Sequence, residues 1–255
     1  MQFLKQYPVK GGVYFLKEPD DTFERVYLKA RQIEGRINND DVVIHLPGMQ
    51  KDASLKDEWK WRENSCKRFV RYFKQYPGSK VLDLGCGNGW FTNQLAKNVP
   101  GQYLGLDINS HELYQAARMF STTHCRFAYG DIFSQALPHR FFDMIILNAS
   151  IQYFQSLPRL IERCRLLLTV HGQIHILDSP FYNSQQAAEQ ARQRSESYYL
   201  NLGIPQMAPY YHHHTWGSLS GYKIEVLYDP ANPWSKIQKY MYRSANFFPW
   251  IKITR

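Results

Sequence analysis

Apolar and polar positions along this chain follow two rhythms. Between residues 80 and 178, short apolar runs bounded by turn residues recur at strand length, at 80–84, 103–106, 125–128, 142–147 and 173–177. Between them, 90–97, 111–120 and 158–168 carry helical spacing, so this stretch predicts repeated βα units on a parallel sheet. The flanks read differently. The N-terminal flank predicts a helix over 22–34, a polar break at Asn38-Asn39-Asp40-Asp41, and a longer helix over 54–75 with Ser54 as N-cap and Pro77-Gly78 as its stop. After 178 come a Gln/Ala/Glu/Arg-rich helix over 184–200, an irregular Pro-, Tyr- and His-rich stretch over 203–222, and two late strands at 222–228 and 249–254. A Pro-bounded helical segment is expected between those two strands.

Composition narrows the class. At 255 residues and 44% hydrophobic, with no apolar run near the roughly 20 residues of a membrane span, the chain reads as one elaborated globular unit. The formal charge of +9 is concentrated in the flanks: residues 81–180 hold 7 basic and 7 acidic side chains, against 16 and 11 before them and 8 and 4 after. The 56–74 stretch alone has seven basic and three acidic residues, interleaved with Trp59, Trp61, Phe69, Val70 and Phe73, the pattern of an amphipathic helix docked on a domain. Cys66, Cys86, Cys125 and Cys164 form no Cys-x-x-Cys pair, so no metal site is expected from them. The first residues lack the apolar stretch of a secretory signal, which makes the cytoplasm the expected location.

Chemistry enters at Val81-Leu82-Asp83-Leu84-Gly85-Cys86-Gly87-Asn88-Gly89-Trp90, which runs from a strand through a glycine loop into a helix. Glycines there let the backbone turn tightly and approach a ligand. Trp90 stands where a dinucleotide loop would need its last glycine, which favours a nucleoside without pyrophosphate. Asp107 ends the second strand, where an acid can accept hydrogen bonds from both ribose hydroxyls, with Ile108 beside it. Gly130-Asp131-Ile132 follows the third strand, placed to meet a purine edge and face.

On these motifs, residues 78–180 resemble a class I S-adenosylmethionine-dependent methyltransferase. The resemblance implies an α/β, Rossmann-like seven-stranded sheet, mostly parallel with an antiparallel last strand, and helices on both faces. A helical N-terminal cap would span 1–76 and a methyltransferase domain 77–255, with a substrate-side insertion at about 183–222. It further implies S-adenosylmethionine as cofactor. Gly85, Cys86, Gly87, Asn88 and Gly89 would line the methionyl part, and Asp83 would orient the loop or the cofactor amine or cap the next helix. Asp107 and Ile108 would hold the ribose side, and Gly130, Asp131 and Ile132 the adenine. Asn148 would border the transferring methyl.

On the substrate side, Tyr153, Asp178 and His213 are the catalytic candidates. Asp178 is read as a general base, a holder of a substrate amine, or a capping carboxylate; His213, within His212-His213-His214, as a base, because imidazole titrates near neutrality, or as a surface residue. The expected reaction is methyl transfer to an O or N atom of a small molecule, with the basic flanks compatible with an anionic one. Two alternatives stand beside it: an RNA or protein methyltransferase using those flanks, and a cofactor-binding regulatory subunit. Nucleic acid is disfavoured, because Asn148-Ala149-Ser150-Ile151 lacks the Pro-Pro-aromatic segment that grips a flipped adenine, and no cysteine follows a proline.

Overall fold

The computed structural model describes residues 1–48, 55–232 and 247–255. Ser54 and most of the expected helical segment between the late strands lie outside the described residues. Nine strands form one sheet: β1 (Val9–Lys10), β2 (Val13–Phe15), β3 (Lys80–Leu84), β4 (Gln102–Asp107), β5 (Cys125–Tyr129), β6 (Phe142–Asn148), β7 (Leu168–Leu177), β8 (Ile224–Tyr228) and β9 (Trp250–Thr254). Their order across the sheet is β1-β2-β5-β4-β3-β6-β7-β9-β8. β2 through β7 pair in parallel, and β9 runs antiparallel between β7 and β8.

The expected sheet of seven strands is therefore present with its antiparallel last strand, and the count rises to nine. The two extra strands come from the N-terminal segment, expected to be helical only: β2 adds in parallel to β5, and β1 folds back antiparallel on β2. With two and three residues, these strands are too short to carry a readable period.

Alternation along the central strands produces two cores. In β6, Met144 and Ile146 point into one, and Ile145 and Leu147 into the other. The first core is closed by α3 (Lys56–Phe73), α4 (Trp90–Asn98) and α5 (Ser110–Phe120) through Phe69, Phe73, Leu95, Leu113 and Phe120. The second is closed by α6 (Leu157–Leu167) through Leu160, Ile161 and Cys164. A third, smaller cluster joins α1 (Asp21–Ile33) to α7 (Gln185–Asn201) and the 3₁₀ segment Pro205–Tyr210 around Ala30, Tyr199, Ile204 and Met207. The remaining helix, α2 (Asp40–Val43), is a single turn.

Local chemistry sets the helix starts. Asn109 caps α5 by accepting from the Glu112 N–H at 3.1 Å, and its own amide donates to the Glu112 carboxylate at 2.9 Å. Ser156 and Ser184 cap α6 and α7 in the same way, with Pro158 in the first turn of α6. These starts place the loops that follow β3, β4, β5, β6 and β7 along the carboxyl edge of the sheet, where open α/β sheets bind ligands.

Candidate active site

The turn after β3 is built on left-handed backbone, with φ of +76° at Gly85, +51° at Gly87 and +74° at Gly89. At Gly85 the geometry leaves no alternative: an added Cβ would stand 2.5 Å from the Ser150 Cβ, while the Ser150 hydroxyl donates to the Leu84 carbonyl at 2.7 Å. Gly87 donates its N–H to Asp107 Oδ2 at 2.8 Å, and Asp107 Oδ1 accepts from the N–H groups of Ile108 and Asn109 at 2.7 and 2.9 Å. The acid at the end of β4 thus fixes both the glycine loop and the start of α5.

A cavity of about 500 Å³ opens beside this loop. Asp83, Gly85, Cys86, Gly87 and Asn88 line it from β3, and Asp107 and Ile108 from β4. Gly130, Asp131 and Ile132 reach it from β5, and Asn148 and Tyr153 from β6. Gly89 is the exception among the expected residues. It is absent from the lining, and an added Cβ would meet Phe127 Cε1 at 2.7 Å and Ala116 Cβ at 2.8 Å, so its bareness serves helix packing.

Acidic and basic side chains both line the cavity, with Asp83, Asp107 and Glu112 grouped at the glycine loop. Asp83 is buried and accepts from the Thr92 hydroxyl at 2.5 Å; burial pushes its carboxyl up to about 7 against that hydrogen bond, with Asp107 adding to the rise. Glu112, another lining residue, is pushed up to about 7 by burial and by Asp107, while Arg31 pulls it down. Burial also raises Asp107, opposed by its three backbone donors. Burial lifts the Cys86 thiol as well, which removes thiolate chemistry there. Asp131 receives the Phe133 N–H at 2.9 Å. Asn148 carries a buried Oδ1 with no hydrogen-bond partner among the described residues, an acceptor whose demand is unmet.

A second cavity, about 580 Å³, adjoins the first and shares Tyr27, Arg31, Arg36, Glu58, Arg62, Ala149 and Tyr153 with it. Tyr153, Asp178 and His213 all line it, so folding brings the three catalytic candidates to one space. Asp178 is buried and left-handed at φ +50°, and Ala149, at the end of the neighbouring strand, has φ +54°. Two non-glycine residues in this conformation side by side are uncommon.

The histidine run diverges. His214 Nε2 lies 3.0 Å from the Ile151 carbonyl, and His213 Nε2 lies 3.0 Å from the Ser195 hydroxyl. His213 is held down at about 4, by burial first and then by its histidine neighbours and Arg194 and Arg192, so it is neutral at pH 7. Its Nδ1 is buried without a partner among the described residues, and so is the Oε1 of Gln152, which lines the same cavity.

Sequence reasoning passed over the roof of both cavities. Phe23, Tyr27 and Arg31 recur every four residues on α1 and face the first cavity together, with Tyr27 and Arg31 also reaching the second. The Arg31 guanidinium donates to the Tyr153 hydroxyl at 3.3 Å and sits 4.9 Å from the centre of the Tyr27 ring. Tyr153 also packs edge-to-face against Phe23, Tyr27 and Tyr211. The four-residue stripe was the available signal. An arginine at its end reads as solvated until a second element closes over it.

The residues present fit S-adenosylmethionine. A bare glycine loop admits a ligand backbone, Asp83, Asp107 and Glu112 stand beside that loop as partners for a cationic ligand, and the Asn148 acceptor, orphaned among the described residues, lies at the same edge.

Comparison with known proteins agrees with this geometry. The family described as "Methyltransferase domain" matches residues 76–246. An uncharacterized methyltransferase of Mycobacterium bovis is 29% identical over 97 residues, covering 38% of this chain and 49% of its own length. A trans-aconitate 2-methyltransferase of Deinococcus radiodurans is 40% identical over 88 residues, covering 34% of this chain and 33% of its own. The chain thus spans half or less of the length of these curated relatives. Among solved structures, magnesium protoporphyrin IX methyltransferase from Synechocystis with bound SAH superposes with a TM-score of 0.57 at 14% identity, over 92% of this chain and 97% of that one. An S-adenosylmethionine-dependent methyltransferase from Mesorhizobium loti gives 0.55 at 18% identity, over 76% and 99%.

Proposed function

This chain belongs to the class I S-adenosylmethionine-dependent methyltransferases, and from that premise we propose that it transfers a methyl group to an O or N atom of a small molecule. The observation that carries the reading is the junction of the two cavities. A space whose glycine loop is flanked by Asp83, Asp107 and Glu112, suited to a cationic nucleoside, meets a tyrosine-ringed one across Ala149 and Tyr153, and the two share Arg31, Arg36 and Arg62. Names of relatives lend support at the level of substrate size: they include methyltransferases of trans-aconitate, phosphoethanolamine and fatty acids.

S-adenosylmethionine, when bound, supplies an electrophilic methyl on a sulfonium. Everything else falls to the protein. In this reading Asp107 accepts the ribose hydroxyls, and Asp131 and Ile132 meet the adenine edge and face. Asp83 and Glu112 set a negative field opposite the cationic centre, and Asn148 accepts from the amine. Tyr153 and the other aromatic rings exclude water and align acceptor and methyl for in-line displacement, which needs orientation more than a dedicated nucleophile. For an acceptor that carries a proton, neutral His213 orients it: in the tautomer with Nε2–H donated to Ser195, its Nδ1, without a partner among the described residues, can accept a hydrogen bond from that proton, though at about 4 it is too weakly basic to hold the proton at pH 7. Asp178 borders the same space.

Calorimetry with S-adenosylmethionine and its demethylated product tests the reading directly; a folded protein that binds neither at millimolar concentration would sink it. Asp107→Ala should weaken cofactor binding by about 1.5–3 kcal/mol through lost charge-assisted hydrogen bonds. Unchanged affinity in a variant with native circular dichroism would remove Asp107 from the ribose.

A further inference from the structure

The charges around the second cavity do not cancel. Glu58 is taken twice: Arg36 clamps it with two hydrogen bonds of 2.7 Å, and Arg62 adds contacts of 2.9 and 3.1 Å. Glu34 accepts the Tyr198 hydroxyl at 2.9 Å and is approached by Arg31 and Arg36, each only at 3.4 Å. Among the described residues, three carboxylates (Glu34, Glu58 and Asp178) and four guanidinium groups (Arg31, Arg36, Arg62 and Arg194) line the cavity, a surplus of one positive charge, and of the three arginines that reach Glu34 and Glu58 one is held most loosely. That group is Arg31, whose ion pair is long and whose contact to Tyr153 is 3.3 Å. It is also the one at the junction, lining both cavities. A fourth arginine, Arg194, is exposed on α7 where it lines the same cavity, and it makes no ion pair among the described residues.

A guanidinium stays charged at any physiological pH, and its planar fork of donors matches a carboxylate. Here that fork is underused: its contacts to the Tyr153 hydroxyl and the Glu34 carboxylate are long, at 3.3 and 3.4 Å, with Tyr27 and Glu112 nearby. Gln152 Oε1 and His213 Nδ1, also on the cavity lining, have no partner among the described residues; both can accept, so they suit a hydroxyl or amine elsewhere on the same ligand and not its carboxylate. The cavity's remaining surface is ringed by Tyr27, Tyr153, Tyr199 and Tyr211, which suits a flat or aliphatic organic body.

We infer that the methyl acceptor is a small organic acid whose carboxylate docks on the Arg31 guanidinium, with Arg31 as the residue that selects acids over their neutral analogues. The inference rests on the second cavity being the acceptor site. A carboxylate matches the single surplus charge; a phosphate monoester carries nearly two negative charges at pH 7 and would leave one uncompensated in a half-buried site.

The test is calorimetry on the full chain saturated with S-adenosylhomocysteine, titrated with benzoate, hexanoate and glutarate, with the matching amides, and with phenyl phosphate. At least one acid should bind, with its amide weaker by tenfold or more. Arg31→Gln, again saturated with S-adenosylhomocysteine, should weaken that acid by on the order of 10- to 100-fold, and Arg31→Lys should recover part of the loss because charge returns without the fork. Amides binding as well as acids, no acid binding to the cofactor-loaded protein, phenyl phosphate outcompeting benzoate, or full affinity in Arg31→Gln would each overturn the assignment. The acid–amide comparison needs no variant, so it decides even if Arg31→Gln fails to fold. Failure of S-adenosylhomocysteine itself to bind is a separate result, one that refutes the cofactor reading before any acid is added.

Discussion

Asp83 shows how one side chain ties this fold's stability to its site. Its carboxyl is buried between the end of β3 and Thr92 of α4, and burial pushes it up to about 7. In an unfolded chain an aspartate titrates near 3.9, so between about pH 4 and pH 7 the native state holds a proton that the unfolded state has released. Stability attributable to this group is therefore greatest at the acid end, falls as pH rises through that window, and levels off above about 7. The neutral isostere Asp83→Asn escapes the loss. Its midpoint relative to the parent should improve between pH 5.5 and pH 8, by up to a few kcal/mol at ~1.4 kcal/mol per pH unit. Unfolding of the ligand-free proteins at the two pH values checks this, and an unchanged difference would show that Asp83 ionises freely. The same substitution should weaken S-adenosylmethionine binding at pH 8, because the negative field opposite the sulfonium is reduced. Stability gained and affinity lost at one position is the pattern expected where a fold keeps an unfavourable buried acid for its ligand.

Among the elements, the glycine loop is where sequence and structure coincide most closely, and Gly89 shows what the sequence withheld. Spacing alone marks Gly85, Gly87 and Gly89 as equivalents. Only the packed structure separates them, by setting Gly89 against Phe127 of β5 and Ala116 of α5. Gly89→Ala should therefore cost both the left-handed backbone and the overpacking, about 2–4 kcal/mol together. Gly78 is the control: its φ is +84° but no described residue lies within 4 Å of an added Cβ, so Gly78→Ala should cost only about 1 kcal/mol. Equal losses in denaturant titrations would remove the packing argument.

The same contrast explains what was legible elsewhere. The runs that became β3, β4 and β6 were readable because both faces are buried and apolar residues fill them. The first half of β7 was missed, since Thr169, Val170 and His171 are partly or fully exposed. Arg31 and Glu112 were missed because each reaches the site from a different helix, and no local pattern reports a meeting across 81 residues of chain. Asp107 was found because its partner Gly87 lies in the neighbouring βα unit.

At the scale of the molecule, the surplus of basic residues in the flanks acquires a place: Arg31, Arg36, Arg62 and Arg194 all come from the flanks and all line the second cavity. Both cavities lie beneath α1, which is fastened at its two ends to different parts of the sheet edge. Near its start, the Asp20 N–H donates to the Tyr129 hydroxyl at 2.9 Å, and the buried Glu24 carboxylate receives the Ser110 hydroxyl at 2.8 Å and the His111 N–H at 2.9 Å at the head of α5. Toward its other end, Arg31 holds Tyr153, and the Tyr198 hydroxyl of α7 donates to Glu34. These are a few polar contacts and one small apolar cluster, whereas β3, β4 and β6 sit inside two large cores; helices held this way open locally at lower free energy than the strands beneath them. A nucleoside bound under Tyr27 and against Asp107 would add contacts to α1 and none to the far edge at β8. Hydrogen exchange with and without S-adenosylhomocysteine should therefore slow in 21–33 by about tenfold or more, at ~1.4 kcal/mol per tenfold, and stay unchanged in 224–228. Protection spread evenly over both segments would mean that the ligand stabilises the fold as a whole, and α1 would then be scaffold with no part in closing the site.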